Sequence, residues 1–169
     1  MAHGAPGSDN RAHEIGREAI DYYSTEITRF QRQTWHWQRV MGVPVTPKTP
    51  TRKIKRRLAG MDGHEIKRAA GIWRQRSDAV HRRAQRPPHL REFLCIHRYE
   101  ASWTDSGDPY WGGLQMDRSF QRAYGGYLLE QKGMADNWSP LEQIWTAERA
   151  LRSRGFYPWP NTARYCGLL

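Results

Sequence analysis

The chain has 169 residues, of which 27 are Lys or Arg and 17 are Asp or Glu, so its formal net charge at pH 7 is +10. This length allows one or two domains, and no stretch approaches the length of a membrane span, which excludes a transmembrane segment within the sequence. The excess charge lies in one half, because residues 1–90 carry 18 Lys/Arg against 8 Asp/Glu, whereas residues 91–169 carry 9 of each.

The first predicted element is one amphipathic helix over residues 10–41, which Gly42 ends ahead of Pro44. A stripe of residues that is apolar except for one threonine recurs along it in steps of three and four, at Ile20, Tyr23, Ile27, Phe30, Thr34, Trp37 and Met41. Such a stripe is typical of a helix that buries one face. We expect it to pack on another element of the same chain, rather than on a coiled-coil partner or a membrane surface.

A proline-rich linker is predicted near residues 43–51, where prolines alternate with Val and Thr. A second helix is predicted to begin at Asp62, because the order Asp-Gly-His-Glu imitates a capping box. Pro87 and Pro88 end this helix and mark the expected domain boundary. Residues 1–87 are therefore expected to form a basic, helical N-terminal region.

Basic residues are concentrated between positions 52 and 86, which hold 12 Lys/Arg and 3 Asp/Glu. Such a cluster can bind a polyanion by neutralising phosphates and releasing counterions, and it can equally attract anionic lipid. A solvated helix face on a basic protein is the alternative interpretation. The sequence matches no zinc-finger, ribonucleoprotein or known recognition-helix motif, so nucleic acid is the less favoured polyanion.

The second half is predicted to be mainly α, within the α+β class, with a helix, a hairpin and two further helices in that order. Residues 89–100 form the first helix, and residues 103–116 turn back as a short β-hairpin. Asp117 is predicted to cap a helix that the glycine pair at 125–126 ends. The Ser-Pro-Leu-Glu segment at 139–142 starts the last helix, because it combines a capping box with proline at the first helical position.

Glu100 is the candidate catalytic residue. It ends the apolar stretch of residues 93–100 and precedes an aromatic and glycine-rich segment at 110–116. A lone carboxylate among aromatic side chains is disfavoured as an anion. It therefore tends to hold the proton that an acid needs in order to protonate a glycosidic oxygen. The alternative is a surface glutamate at a helix end.

Further motifs are distributed along residues 95–166. They are Cys95, Tyr99-Glu100, Trp103, the Tyr-Trp-Gly-Gly-Leu-Gln-Met run at 110–116, the Ala-Tyr-Gly-Gly run at 123–126, Glu142-Gln143-Ile144, Ala147-Glu148, Gly155 and Trp159-Pro160. In order and spacing they resemble the transglycosylase-like domain of actinobacterial resuscitation-promoting factors. Those factors often place the glutamate directly after the cysteine, whereas four residues separate the two here, as in related phage and actinobacterial proteins. The resemblance implies a small lysozyme-like catalytic domain over residues 88–169, in which Glu100 is the acid that acts on peptidoglycan.

The resemblance and the bracketing positions of the two cysteines favour a disulfide between Cys95 and Cys166. The alternative is two free thiols in a reducing cytosol. A disulfide implies action at the cell wall, outside the cytoplasmic membrane. Residues 1–9 show no basic segment followed by an apolar one, so we expect delivery by a phage or another non-classical route, unless a signal lies outside this sequence.

Candidate substrate-binding residues lie in the same segment of resemblance. Aromatic rings can stack on sugar faces, glycines let the backbone approach a glycan chain, and amide side chains bond hydroxyl or N-acetyl groups. The predicted set, with one of its two aromatic residues facing the groove, is Tyr110, Trp111, Gly112, Gly113, Gln115 and Gln143. Asp105 is the candidate second carboxylate, because Asp108 precedes a proline in a turn and Asp117 is expected to be a cap.

The predicted function is cleavage of the β-1,4 glycosidic bond of peptidoglycan by Glu100, with residues 52–86 as a tether to anionic wall polymer. A lysozyme-type hydrolase would use a second carboxylate, whereas a lytic transglycosylase uses one glutamate as acid and then as base, and the sequence leaves both open. No HExxH motif is present, so no metal or cofactor is expected. The alternatives are a non-catalytic glycan-binding or virion structural module, and nucleic-acid binding through the basic region.

Overall fold

The computed structural model describes residues 8–169, and side chains from residue 16 onward. Two compact units make up this chain. Unit 1 contains the described residues up to Trp35 together with Thr46–His81, and unit 2 contains His36–Val45 and Arg82–Leu169.

Helices dominate the described part of the chain. The elements run in the order α1 (Ser8–Met41), α2 (Thr51–Leu58), α3 (Gly63–Ala84), α4 (Leu90–Tyr99), β1 (Tyr110–Trp111), β2 (Met116–Asp117), α5 (Arg118–Lys132), a 3₁₀ helix (Ala135–Asn137), α6 (Pro140–Arg154) and α7 (Pro160–Tyr165). Strands β1 and β2 pair antiparallel, with Tyr110 opposite Asp117 and Trp111 opposite Met116. The predicted mainly α class with a short hairpin is therefore confirmed. Within residues 8–169, none of the helices combines the length and apolarity that crossing a lipid bilayer requires.

Unit 1 is held together by a small apolar core between its three helical segments. The buried members of that core are Ile27, Ile54, Leu58, Ile66 and Ala70. The stripe on α1 thus packs on other helices of the same chain, as predicted. Helix α2 was not predicted from the sequence, because its eight residues hold only two buried apolar side chains, four positions apart within a basic run.

The start of α3 has the predicted capping box. The backbone N–H groups of His64 and Glu65 donate to Asp62 Oδ1 over 2.8 and 2.9 Å, and the Asp62 N–H donates to Glu65 Oε2 over 2.9 Å. These reciprocal bonds satisfy N–H groups that a helix start leaves without partners. Proline at residues 87 and 88 follows the helix end at Ala84.

Helix α5 differs from the prediction. It does not end at the glycine pair 125–126, because it spans Arg118–Lys132 and ends at Gly133. Gly125 leaves the helical conformation, with φ −125° and ψ 19°, and marks a kink. A Cβ at this position would lie 2.5 Å from the ring of Trp138, so the glycine permits close packing and does not terminate the helix.

Helix α6 forms the centre of unit 2. Ser139 caps it with the predicted capping box, Pro140 is its first residue, and Gly155 follows its end. Four apolar and four polar residues are buried along it, so the helix is enclosed over much of its circumference. They are Ile144, Trp145, Ala147 and Ala150, and Glu142, Gln143, Thr146 and Glu148. Helix α6 supports the β1–β2 hairpin and α4, which carry the candidate site.

Candidate functional site

Glu100 directly follows α4. Its backbone N–H donates to the carbonyl of His97 over 3.2 Å, and its side chain is half-buried. The hydroxyl of Thr162 donates to Glu100 Oε1 over 2.8 Å. Thr162 is a buried residue of α7, so two segments that lie far apart in sequence fix the orientation of this carboxylate.

A disulfide joins the same two segments. Cys95 lies in α4, Cys166 directly follows α7, and the bond between them closes a separation of 71 residues. A loop of that length stabilises a fold by about 4 kcal/mol in the chain-entropy model. Because α4 positions Glu100 and α7 carries Thr162, the cross-link also holds the two partners of this hydrogen bond together.

Glu100 faces a groove of about 200 Å³, which we call the Glu100 groove. Its other lining residues are Tyr110, Gln115, Pro158, Trp159, Pro160, Asn161 and Thr162. A second depression of about 140 Å³ shares four of these residues and extends to Asp117 and Arg154. The two depressions therefore lie side by side, with the Tyr110 ring and the Gln115 amide common to both.

Of the two aromatic candidates, the structure brings Tyr110 to the groove. Its side chain is 48% exposed, as a ring that stacks on a sugar must be, whereas Trp111 is only 9% exposed and lines neither depression. The alternation of a strand explains the difference, since neighbouring residues point to opposite faces. Trp111 thus belongs to the interior.

Gln115 lies in the groove and is held there by two bonds. Its Nε2 donates to Asp105 Oδ2 over 2.7 Å and to the Gly112 carbonyl over 3.0 Å, and its backbone has a positive φ of 48°. Asp105 is half-buried and does not line the groove. The structure therefore gives this aspartate a positioning contact with Gln115.

Gln143 is fully buried, and its amide holds the loop between the strands. Its Oε1 accepts from the Gly113 N–H over 2.8 Å, and its Nε2 donates to the carbonyls of Trp103, Ala135 and Trp138 over 2.8 to 3.0 Å. Such saturation with internal partners is typical of a buried polar group that determines structure. The structure places Gln143 behind the groove and not in it.

The two loop glycines are required by contacts within the chain. Gly112 has a φ of +75°, and a Cβ there would lie 2.4 Å from Gln143 Oε1. A Cβ on Gly113 would lie 2.6 Å from His97 Nδ1, whose ring contacts the Gly113 carbonyl over 3.0 Å. The close approach that these glycines permit is thus to Gln143 and His97.

Two further carboxylates of unit 2 are buried away from the groove. Glu148 accepts a hydrogen bond from the backbone N–H of His89 over 2.6 Å. Burial alone would raise the pKa of Glu142, but hydrogen bonds from His36 and Lys132 overcome it and lower that pKa to about 2. Both carboxylates therefore stabilise the fold.

Asp117 lies in the second depression and caps α5. Hydrogen bonds from the Ser119 hydroxyl and from the Phe120 N–H hold the pKa of Asp117 below its usual value. Glu100 is therefore the carboxylate that the groove offers for chemistry, among the residues that the structure describes. Over the same residues, no group of three or more His, Cys, Asp or Glu side chains is placed to hold a metal ion.

Thr162 and Asn161 were not identified from the sequence as site residues. Thr162 meets Glu100 across a separation of 62 residues. Proline at the first position of α7 suits a helix start, but this helix was not predicted from the sequence, and nothing in the local sequence indicates which residue faces Glu100.

Comparison with known proteins finds one partial similarity. The chain is 41% identical over 64 residues to "Resuscitation-promoting factor RpfE" of Mycobacterium tuberculosis (strain ATCC 25618 / H37Rv). The aligned segment is 37% of this chain and 34% of that protein, so the chain matches about a third of the length of this relative. No family model matches the chain, and no solved structure matches it. The similarity indicates a distant relationship to a resuscitation-promoting factor over this segment.

Proposed function

We propose that this protein cleaves the β-1,4 glycosidic bond of peptidoglycan, with Glu100 as general acid and then general base. The observation that carries the proposal is the Glu100 carboxylate, oriented by Thr162 and facing a groove that Tyr110 and Gln115 also line. The relationship to a resuscitation-promoting factor supports a role at the cell wall. Glycan strands are then the substrate, and the site of action is extracellular.

The proposed chemistry follows from the hydrogen bond to Glu100. The Thr162 hydroxyl donates to Oε1, so in this proposal Oε2, the oxygen that Thr162 does not contact, delivers the proton. This proton passes to the glycosidic oxygen as the bond from that oxygen to the anomeric carbon breaks. The carboxylate then takes a proton from the nucleophile, which is either a water molecule or the 6-hydroxyl of the same sugar.

The residues that line the groove favour the second nucleophile. Hydrolases of the two-carboxylate type place a second carboxyl about 5 to 9.5 Å from the first. Glu100 is the carboxylate among the described residues that line its groove, and Asp105 is engaged by Gln115. We therefore infer the lytic transglycosylase route, in which one glutamate acts twice and the product is an anhydro sugar.

Tyr110 and Gln115 are the proposed substrate-binding residues. The exposed ring of Tyr110 offers an apolar face to a pyranose. The Gln115 amide, fixed through Asp105, offers hydrogen bonds to sugar hydroxyl or N-acetyl groups. In this proposal, Gln143 and Gly112 shape the hairpin that carries Tyr110 and Gln115.

The test is cleavage of a purified peptidoglycan suspension by the intact protein and by Glu100→Gln. The amide keeps the shape of the side chain but has no proton to give, so turbidity loss should fall by about 10² to 10⁴ while the melting temperature stays unchanged. Product masses distinguish the routes, because the anhydro product is lighter by one water than the hydrolysed one. Undiminished cleavage by the variant would refute the role of Glu100. Binding without cleavage by the intact protein would instead favour a glycan-binding or virion module.

We also propose that the basic residues between positions 52 and 86 tether the enzyme to anionic wall polymer. Helix α2 buries Ile54 and Leu58 and leaves its five basic side chains exposed, as binding to a polyanion requires. Replacing Arg52 and Arg56 by Gln should weaken binding to intact walls and reduce its salt dependence, because fewer counterions are released. Titration against duplex DNA at matched salt is the comparison, and tight binding to DNA alone would favour the nucleic-acid alternative.

A further inference from the structure

Unit 1 contains a pocket of about 280 Å³ between α1, α2, α3 and the linker, which we call the unit 1 pocket. Its floor is apolar, because Ile27, Ile54 and Leu58 of the unit 1 core line it together with Trp73. Ile72 lies at its edge and is 52% exposed. Exposed apolar surface inside a concave site indicates a ligand with an apolar part.

The rim of the unit 1 pocket is cationic. Lys53, Arg57 and Arg76 line it, and none of its eleven described lining residues is acidic. The Arg76 guanidinium also lies 4.7 Å from the centroid of the Trp73 ring, in cation–π geometry. Three cations beside an apolar floor, with no carboxylate in the lining, complement a ligand that joins an anionic group to an apolar body.

A buried amide in the lining lacks a partner. Gln31 is 1% exposed, and among the described residues its Oε1 has no hydrogen-bond partner. A buried acceptor left without a donor is costly, so native proteins rarely retain one without a reason. Because Gln31 lines the unit 1 pocket, a rotation of its buried amide toward the pocket would let an N–H or O–H group of a ligand supply the missing donor.

We propose that the unit 1 pocket binds a small anionic amphiphile. The apolar body lies on Ile54 and Trp73, the carboxylate or phosphate contacts Arg57 and its neighbouring cations, and an N–H or O–H group donates to Gln31 Oε1. A hydrophilic polymer such as wall polymer or nucleic acid would meet the basic rim but leave the apolar floor uncovered. The site is independent of the chemistry proposed at Glu100.

The probe is N-octanoylglycine, which joins an eight-carbon acyl chain to an amide N–H and a carboxylate. It is titrated into the full chain and followed by the backbone NMR signals of Ile54, Ala69 and Trp73. Saturable binding is expected. Its dissociation constant should be about 1 mM, because a ligand of this kind gains about 0.3 kcal/mol of binding free energy per non-hydrogen atom. The methyl ester removes the charge and should bind about tenfold more weakly. N-octanoylsarcosine removes the N–H donor and should bind about fivefold more weakly.

Matched variants test the site within the protein. Arg57→Gln should weaken binding about tenfold, whereas Arg32→Gln removes the same charge from an exposed position of α1 outside the pocket and should leave binding unchanged. Gln31→Met should abolish the preference for N-octanoylglycine over N-octanoylsarcosine, and if that variant fails to fold, the arginine pair still decides.

Binding of phosphatidylglycerol vesicles with the same dependence on Arg57 identifies a lipid as the source of the ligand, and binding of the soluble acid alone identifies a free acid. Absence of saturation by about 10 mM, or equal binding by the two arginine variants, would overturn the proposal.

Discussion

Replacing Gln143 by methionine tests whether this side chain shapes the groove or contacts the substrate. The change keeps the approximate volume and removes the bond that Oε1 accepts from the Gly113 N–H, together with the two N–H groups that Nε2 shares among the carbonyls of Trp103, Ala135 and Trp138. At about 1 kcal/mol net for the accepted bond and for each N–H group, the free energy of unfolding should fall by about 3 kcal/mol. That is a large fraction of the 5–15 kcal/mol typical of a domain, and it corresponds to a fall of about 15 °C in melting temperature for a unit of this size.

The assay is thermal and urea unfolding, measured beside peptidoglycan cleavage well below the melting temperature. Gln115→Met is the matched control, because it removes two hydrogen bonds from a half-buried side chain that lies in the groove. It should cost about 1 to 2 kcal/mol of stability and reduce cleavage at temperatures where the variant is folded. A Gln143→Met protein that keeps its stability but loses cleavage would refute the structural role and return Gln143 to the substrate.

Two further predictions concern stability. Reduction of the Cys95–Cys166 disulfide, whose sequence separation is 71, should lower the free energy of unfolding by about 4 kcal/mol; alkylation of both thiols on denaturation without reductant would show that the bond is absent. Glu142 has a folded-state pKa of about 2 against an ordinary value of 4.5, so its contribution is present above pH 4.5 and is lost as the pH falls towards 2. The loss of stability amounts to about 3 kcal/mol. The free energy of unfolding of Glu142→Gln, measured in urea, should therefore depend less on pH over this range than that of the intact protein. An equal pH dependence of the two proteins would contradict the role of Glu142.

Elements with local signals could be predicted from the sequence. The stripe on α1 repeats in steps of three and four residues, and each capping box of α3 and α6 spans four residues. Because each signal depends only on near neighbours in the sequence, periodicity and cap chemistry were sufficient to predict these elements. Helix α2 and the continuation of α5 through Gly125 depend on tertiary contacts instead. Gly125 reads as a helix stop in isolation, and only the Trp138 ring against it explains why a glycine lies inside the helix.

The candidate site divides in the same way. Glu100 could be selected because its chemistry and its position at the end of an apolar stretch are visible in the sequence. The partner that orients it could not, because Thr162 is joined to Glu100 by the fold alone. Trp111 and Gln143 share residue chemistry with groove residues but are buried, and the sequence does not show which way either side chain points.

A sequence motif shared with a family of enzymes can serve the fold and not the reaction. Gly112, Gly113 and Gln143 carry much of the resemblance to resuscitation-promoting factors, and they contact one another inside unit 2. A chain could therefore keep this part of the pattern for the sake of its fold after losing catalysis, since none of these contacts involves a reacting atom. The groove makes a separate demand, a carboxylate oriented by a donor from α7. Glu100 and Thr162 meet that demand, which is why a substitution at Glu100, and not the retention of the glycines, distinguishes an enzyme from a binding module.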